Sequence, residues 1–268
     1  MLDVVSGQAS DPGKVRTNNE DATGVYVPRS RQEARSRGWL FVVADGVGGM
    51  DNGEVASAKA VEVILDGFSK AQEGTSLSSL LARLVQHANA AVHDEGLQPQ
   101  NRGRGMATTV VACALRHDQV AIAHVGDSRC YLVRDGEALS LTRDHTMVVE
   151  QRKLGLISAA EADQSSGRHV LTRSLGPELF VTVESRSMSL KTGDLLVLCT
   201  DGIHGAMYEE DIARIVSQDK DIGAIAHDLV AYSVEVDGSD NATAQVVQIR
   251  SVEPMGMYRG RLYPLPTS

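Results

Sequence analysis

Three apolar runs of this chain end in the same way: LFVVA meets Asp45-Gly46, AIAHV meets Gly126-Asp127, and LLVLCT meets Asp201-Gly202. Short apolar runs bounded by turn residues read as strands, and one without polar alternation reads as a strand buried on both faces. A carboxylate at the lip of such a strand resists burial, so each strand must finish at a boundary of the core. Two more acidic segments sit at strand boundaries: Glu20-Asp21 follows RTNN, and Asp240 opens DNATA before the last apolar run. Singly, each has an ordinary explanation. Asp beside Gly is common turn chemistry, Asp127 can make an Asx turn, Asp240 can cap a turn, and an acid pair such as Glu20-Asp21 is commonly solvated. Together they support a second reading, in which five strand ends converge and their anions repel one another. Hard divalent cations such as Mg²⁺ or Mn²⁺ suit an all-oxygen ligand set of that kind, and the absence of a His cluster argues against zinc. Gly46 would then let its own carbonyl approach an ion.

Helical periodicity is confined to a few segments. Val61, Ile64, Leu65 and Phe68 share one face of a helix beginning near Asn52–Glu54, and Leu77, Leu80, Leu81, Leu84, Val85, Ala88 and Val92 share one face of a second, capped by Ser76. The short EGTS connection makes these helices, 53–71 and 76–92, antiparallel neighbours covering a sheet. Strands are expected at Thr109–Leu115, Gln119–Val125, Arg129–Arg134, Phe180–Arg186, Asp194–Cys199 and Ala242–Arg250, with short helices near 146–154 and 159–164 and longer ones at about 208–217 and 221–236. Strands in groups with helices in pairs give an α+β order rather than the alternation of a parallel α/β fold. With no linker or repeat, one domain spanning 1–250 is expected, followed by a tail, 251–268, draped on the surface or disordered. Residues 144–176 form a polar, irregular insertion with a lid's character, carrying Arg152, Lys153, Arg168 and Arg173, with Arg143 just before it; a solvated loop is the plain alternative.

Composition excludes several functions. A formal net charge of −9 is opposite to the basic face of a nucleic-acid binder. Cys113, Cys130 and Cys199 lie far apart in apolar runs, outside any C-x-x-C pair, and read as buried free thiols of a reducing compartment. No signal pattern opens the chain and no apolar run reaches membrane-spanning length, so a cytoplasmic protein is expected, with no membrane and no nucleic acid among its partners.

In order, the segments RTNNEDA, VVADGVGGMDNGEVAS, GMATTVVACAL, HVGDSRCYLVRDG, LTRDHT, LTRSLG, GDLLVLCTDGIHGAM and DNATAQVV resemble the metal-dependent Ser/Thr protein phosphatases of type 2C, in their compact bacterial branch. That resemblance implies a four-layer α-β-β-α sandwich, two antiparallel sheets each flanked by a helix pair, with metals in a cleft at one end. It implies that Asp45 bridges two Mn²⁺ or Mg²⁺ ions with the Gly46 carbonyl on one of them. Asp201 and Asp240 would complete one ion's ligands, Glu20 would serve the other, and Asp21 would orient bound water. Asp127, with Asp201, would hold a weaker third ion, and Arg16 would grip the substrate phosphate. A water between the two ions would attack phosphorus directly, with no Cys nucleophile. Phosphorylated proteins would be the substrates and a bacterial Ser/Thr kinase the opposing partner. Val47 stands where eukaryotic relatives carry a His that protonates the leaving oxygen. The general acid is thus open, with a water on the third ion as first choice and His204 as a weaker one.

Overall fold

The computed structural model describes residues 1–47, 52–101, 105–158, 161–162, 165, 167–258 and 261–265. Its elements are β1 (Asp3–Asp11), β2 (Asp21–Tyr26), α1 (Arg31–Ser36), β3 (Trp39–Asp45), α2 (Gly53–Ser69), α3 (Leu77–Gly96), β4 (Val110–Arg116), β5 (Gln119–Val125), β6 (Arg129–Arg134) and β7 (Glu137–Ser140). There follow α4 (Met147–Lys153), β8 (Glu184–Ser189), β9 (Leu195–Cys199), α5 (Asp201–His204), α6 (Glu209–Val216), α7 (Ile222–Val236), β10 (Ala242–Ser251), β11 (Met255–Tyr258) and β12 (Arg261–Pro264).

The strands form two five-stranded antiparallel sheets, ordered β1-β10-β9-β6-β7 and β2-β3-β4-β5-β8. The two-residue period of a strand explains how they stack. On β3, Phe41 and Val43 turn inward with Val111, Cys113 and Ile122, and meet Cys130, Leu132, Leu196, Leu198 and Val247 of the other sheet. The alternate residues Leu40, Val42 and Ala44 turn outward and pack under Ile64, Phe68, Leu81 and Val85 of α2 and α3. On the far side, Val197, Cys199, Ala244 and Val246 pack under Ile212, Ile225, Ala226 and Leu229 of α6 and α7. The layers are therefore α-β-β-α. β3 is buried on both faces because it lies inside one sheet and between two layers.

Most expected elements sit within a residue or two of their expected ends, although α3 runs on to Gly96. Ser76 occupies its N-cap position but its hydroxyl caps nothing; the first turn closes instead through Leu80 N–H to the Ser76 carbonyl at 2.9 Å. The strand expected at Phe180–Arg186 lies further on, at Glu184–Ser189. Its ladder with β5 begins at the pair His124–Glu184, beyond which β5 turns away, and Phe180 is left exposed. The short helix expected at 159–164 lies largely outside the described residues. β1, β2, β7, α1 and α5 were not anticipated. The described part of the tail forms a hairpin, β11–β12, anchored where Glu253 takes Arg35 in a bidentate pair at 2.6 and 3.2 Å. All three cysteines are buried free thiols. Among the described residues, no helix is long and apolar enough to cross a membrane.

Phe41 is fully buried in the layer between the sheets, so its truncation leaves a cavity there. Phe41→Ala is expected to destabilise the fold by about 3–5 kcal/mol, read as a lowered midpoint in urea denaturation.

Candidate metal centre

Strand register brings the acids together. β2 and β3 pair so that Asp21 stands directly opposite Asp45, at the end of both strands. Asp45 is fixed through its backbone: its N–H donates to Thr109 Oγ1 at 3.1 Å, and its carbonyl accepts from Thr109 N–H and Thr108 Oγ1, both at 2.8 Å. Next to it, a Cβ on Gly46 would collide with the backbone of Gly53, where α2 begins, and would lie 2.8 Å from the Glu20 carbonyl oxygen. Glycine is therefore required here for close backbone approach, whatever its carbonyl binds. Gly46 N–H and Ser57 Oγ both donate to the Glu20 carbonyl, at 3.1 and 2.6 Å, which ties the Glu20 segment to the start of α2.

The remaining acids arrive from the other sheet and from the crossover to it. Asp201 opens α5 directly after β9, and Asp240 precedes β10, with Asp240 Oδ2 accepting from the Arg16 guanidinium at 2.9 Å. Asp127 lies in the turn between β5 and β6, buried, its carbonyl accepting from His204 Nε2 at 3.0 Å. The structure thus gathers Glu20, Asp21, Asp45, Gly46, Asp127, Asp201, Asp240 and Arg16 at one end of the sandwich.

Electrostatics shows how closely the carboxylates crowd. Burial, followed by repulsion from Asp21, Asp201, Asp127 and Asp240, holds the Asp45 carboxyl well above the usual range. Burial and the Asp201 and Asp240 charges push Asp21 up to about 7 against the hydroxyl bonds of Thr243 and Thr200, and burial with Asp201 and Asp144 pushes Asp127 up to about 7. Glu20 is raised by burial and by Glu54. Asp201 goes the other way: burial raises it, but the His169 hydrogen bond, the nearby His204 and a hydrogen bond with Asp45 outweigh that. One Asp21 oxygen accepts from Thr200 Oγ1 at 3.0 Å, while its other oxygen is buried with no partner. A buried, partly orphaned carboxylate cluster is costly without positive charge. An all-oxygen set of this kind fits hard divalent cations.

Two nearby histidine groups have other work. The His204 ring is held neutral, its pKa lowered by burial to about 4, and its Nε2–H is committed to the Asp127 carbonyl. That makes it a brace for Asp127. His124, His145 and Glu184 also lie close together, with the two rings stacked at 4.8 Å between centroids. Here His145 Nδ1 accepts the Gly126 N–H at 3.1 Å, so its Nε2 carries the hydrogen and donates to Glu184 at 3.3 Å, while His124 Nε2 donates to the Arg143 carbonyl at 2.9 Å. With the Arg173 guanidinium 3.4 Å from His145, this cluster is a hydrogen-bonded pin rather than a cation site. It fastens the base of the insertion, where His145 also accepts Thr172 N–H through its carbonyl at 2.8 Å.

The insertion leans over the acids and delivers a residue that the sequence reading did not single out. His169 Nδ1 lies 3.6 Å from Asp201 Oδ2. Nothing in an irregular polar segment marks which residue will reach back, so no local signal identifies it; the same holds for Thr200, which acts across the sandwich, and for Thr108, which acts from the neighbouring strand segment. Between the insertion and the α5–α6 connection runs a groove of about 850 Å³, with Arg152 and Arg168 on one wall, Glu209 and Glu210 on the other, and Asp127 at its inner end. Of the insertion's other bases, Arg173 and Lys153 pair with Glu150, and Arg143 with Glu184.

The raised carboxyls fix the sign of a pH dependence. Asp21 and Asp127 titrate at about 7 in the folded, metal-free chain against an ordinary 3.8, so their contribution to stability is full below about 4 and is lost as pH rises through 7. Asp201 is shifted downward, so its opposite contribution changes below 3.8. Metal-free protein is expected to have a lower urea midpoint at pH 8 than at pH 5. Mn²⁺ should raise the midpoint more at pH 8, and Asp45→Asn should flatten the metal-free profile. A metal-free midpoint that is level from pH 5 to 8 would contradict the crowding.

Comparison with known proteins agrees with this geometry. Residues 14–227 match the family model described as protein phosphatase 2C. The serine/threonine phosphatase stp of Listeria innocua is 31% identical over 244 residues, covering 89% of this chain and 93% of that protein. Among solved structures, the Streptococcus agalactiae serine/threonine phosphatase superposes with a TM-score of 0.82 at 29% identity, over 92% of this chain and 99% of that one. The catalytic domain of the serine/threonine phosphatase PstP, in complex with two manganese ions, superposes with a TM-score of 0.77 at 30% identity, over 93% and 99% of the two chains. The chain therefore belongs to the protein phosphatase 2C family, and is a metal-dependent protein-serine/threonine phosphatase.

Proposed function

We propose that this phosphatase hydrolyses phosphoserine and phosphothreonine using two core divalent ions, Mn²⁺ or Mg²⁺, and a weaker third. The observation that carries this reading is the buried Asp45 carboxyl, crowded by four other aspartates at the end of β3 and held above its normal range. Asp45 and the Gly46 carbonyl would hold the core pair, with Asp201 and Asp240 on one ion and Glu20 on the other, and Asp127 with Asp201 on the third. When bound, such ions polarise a phosphoryl oxygen and make an activated water available for in-line attack.

The chain's own residues do the rest. Asp21, opposite Asp45 and hydrogen-bonded to Thr200, has its unpartnered oxygen available to orient a water by accepting a hydrogen bond from it. Arg16 is half-exposed beside Asp240, and its planar fork suits two phosphoryl oxygens at once. Val47 can donate no proton, and His204 is committed to Asp127, so neither serves the leaving oxygen. The groove beside Asp127 offers room for the flanking polypeptide, and its unlike walls would sort substrates by charge. Three buried thiols fit a reducing cytoplasm, where a bacterial Ser/Thr kinase would supply the phosphoproteins. Residues 1–250 would be the catalytic unit and 251–268 an appended tail.

The test is release of phosphate from phosphoserine, phosphothreonine and phosphotyrosine peptides with manganese, with magnesium and with chelator. Activity on the first two that chelator abolishes is expected; turnover indifferent to chelator would overturn the proposal. Asp45→Asn should fold and lose roughly a thousandfold or more in kcat. Arg16→Ala should raise KM about tenfold or more, with metal affinity by calorimetry little changed. Asp127→Ala should retain two ions and turn over more slowly.

A further inference from the structure

The segment that carries Arg16 and Glu20 has little structure of its own. Residues 12–20 contain no helix or strand, and Val15, Arg16, Thr17 and Asn18 are exposed. A guanidinium on such a loop loses much of its value, since each encounter with phosphate must first order the chain. Other bonds hold the ends of the segment: Lys14 N–H donates to the Gly238 carbonyl at 2.7 Å, and Asn19 Nδ2 donates to Ser10 Oγ at 2.8 Å.

The side chain of Asn241, only 5% exposed, spans the whole loop. Its Nδ2 donates to the Pro12 carbonyl at 3.0 Å and to the Asn18 carbonyl at 2.9 Å, so it grips the backbone on both sides of Arg16. Its Oδ1 accepts the Glu20 N–H at 2.8 Å. Two donors and one acceptor on a short stem is an arrangement that only asparagine provides here: aspartate has no donor, and glutamine is one methylene longer.

Asn241 is itself fixed from the centre. Its N–H donates to Asp240 Oδ1 at 2.9 Å, and Asp240 Oδ2 takes the Arg16 guanidinium at 2.9 Å. Its carbonyl oxygen lies where a Cβ on Gly202, the residue after Asp201, would stand, so only glycine lets the two segments meet. Asn241 thus grips the Glu20 segment with its side-chain amide, while its backbone bonds Asp240 and lies against Gly202.

We infer that Asn241 is a positioning residue that presents Arg16 to the substrate phosphate by clamping the backbone of residues 12–20. The inference rests on the reading of Arg16 as the phosphate ligand. Its action is indirect, so its effect must vanish when Arg16 is absent, whereas a general structural role would persist.

A double-mutant cycle separates the two. KM and kcat for a phosphothreonine peptide, and inhibition by inorganic phosphate, are measured for Asn241→Ala, Arg16→Ala and the double variant, with manganese. Asn241→Ala is expected to raise KM and the phosphate inhibition constant about tenfold, with kcat within about threefold of the parent; on the Arg16→Ala background the same change should cost less than about twofold. Asn241→Asp, which keeps the shape and loses both donors, should behave like the alanine variant and guards against a folding defect. In metal-free protein, hydrogen exchange over residues 12–20 should quicken about tenfold on Asn241→Ala while β9 and β10 stay protected. A lowered kcat at unchanged KM, or an undiminished effect without Arg16, overturns the assignment of Asn241 alone. A silent Arg16→Ala overturns the phosphate reading of Arg16, and the assignment of Asn241 with it.

Discussion

Mutual repulsion among carboxylates at one end of the sandwich is the constraint around which this molecule is built. Asp45 and Asp21 face each other across a strand pair, Asp201 and Asp240 close in from the other sheet, and Asp127 from the crossover between the two. Alone, such a cluster would drift apart or stay protonated. It is held because Asp45, Asp127 and Asp201 sit at the ends of strands whose other residues lie in the core: Phe41, Val43 and Leu198 on the inner layer, Val42 and Ala44 against the helices. Hydrophobic burial in four layers thus does electrostatic work at the edge. The stability given up there is what makes the site receptive to cations.

The acids are held mainly by their backbones, which leaves their side chains available. Thr108 and Thr109 hold Asp45, His204 holds the Asp127 carbonyl, and Asn241 holds the Glu20 amide. None of these bonds uses up a carboxylate oxygen. Thr200 with Asp21 is one exception, leaving the second oxygen unpartnered, and Asp240 is another, its two oxygens taken by Asn241 N–H and the Arg16 guanidinium. The insertion follows the same logic at its root, where both ring nitrogens of His145 are occupied and tie it to Gly126, one residue before Asp127.

Much of this was legible in the sequence because the strongest signals are local. β3, β4, β5, β6 and β9 are largely apolar runs, and α2 and α3 carry a 3.6-residue period, so burial writes them directly into the chain. β1 and β2 were not legible, since DVVSGQASD and DATGVY are half-exposed strands whose pairing partners lie in other segments. β7 is a four-residue edge strand, too short for a pattern. At the site, Asp beside Gly after a strand marked the ligand candidates, whereas Thr200, His169 and Asn241 act on residues 179, 32 and more than 200 positions away. Their importance exists only after folding. Gly46 was legible as a site residue for an incomplete reason, because its missing side chain is also demanded by the approach of Gly53.

A net charge of −9 sets a last problem, since the substrate phosphate is also an anion. Long-range attraction cannot recruit it, so recognition has to be built from short-range positive charge near the cleft. Arg16 lies beside Asp240, and Arg152 and Arg168 line the groove wall opposite Glu209 and Glu210. Of these, Arg16 sits among the acids themselves, where its own field is partly cancelled by Asp240. Its usefulness therefore depends on placement more than on charge: a guanidinium a few ångströms away would be one more screened surface cation. That dependence is why a buried amide spanning the loop on both sides of Arg16 matters as much to phosphate recognition as the guanidinium it holds.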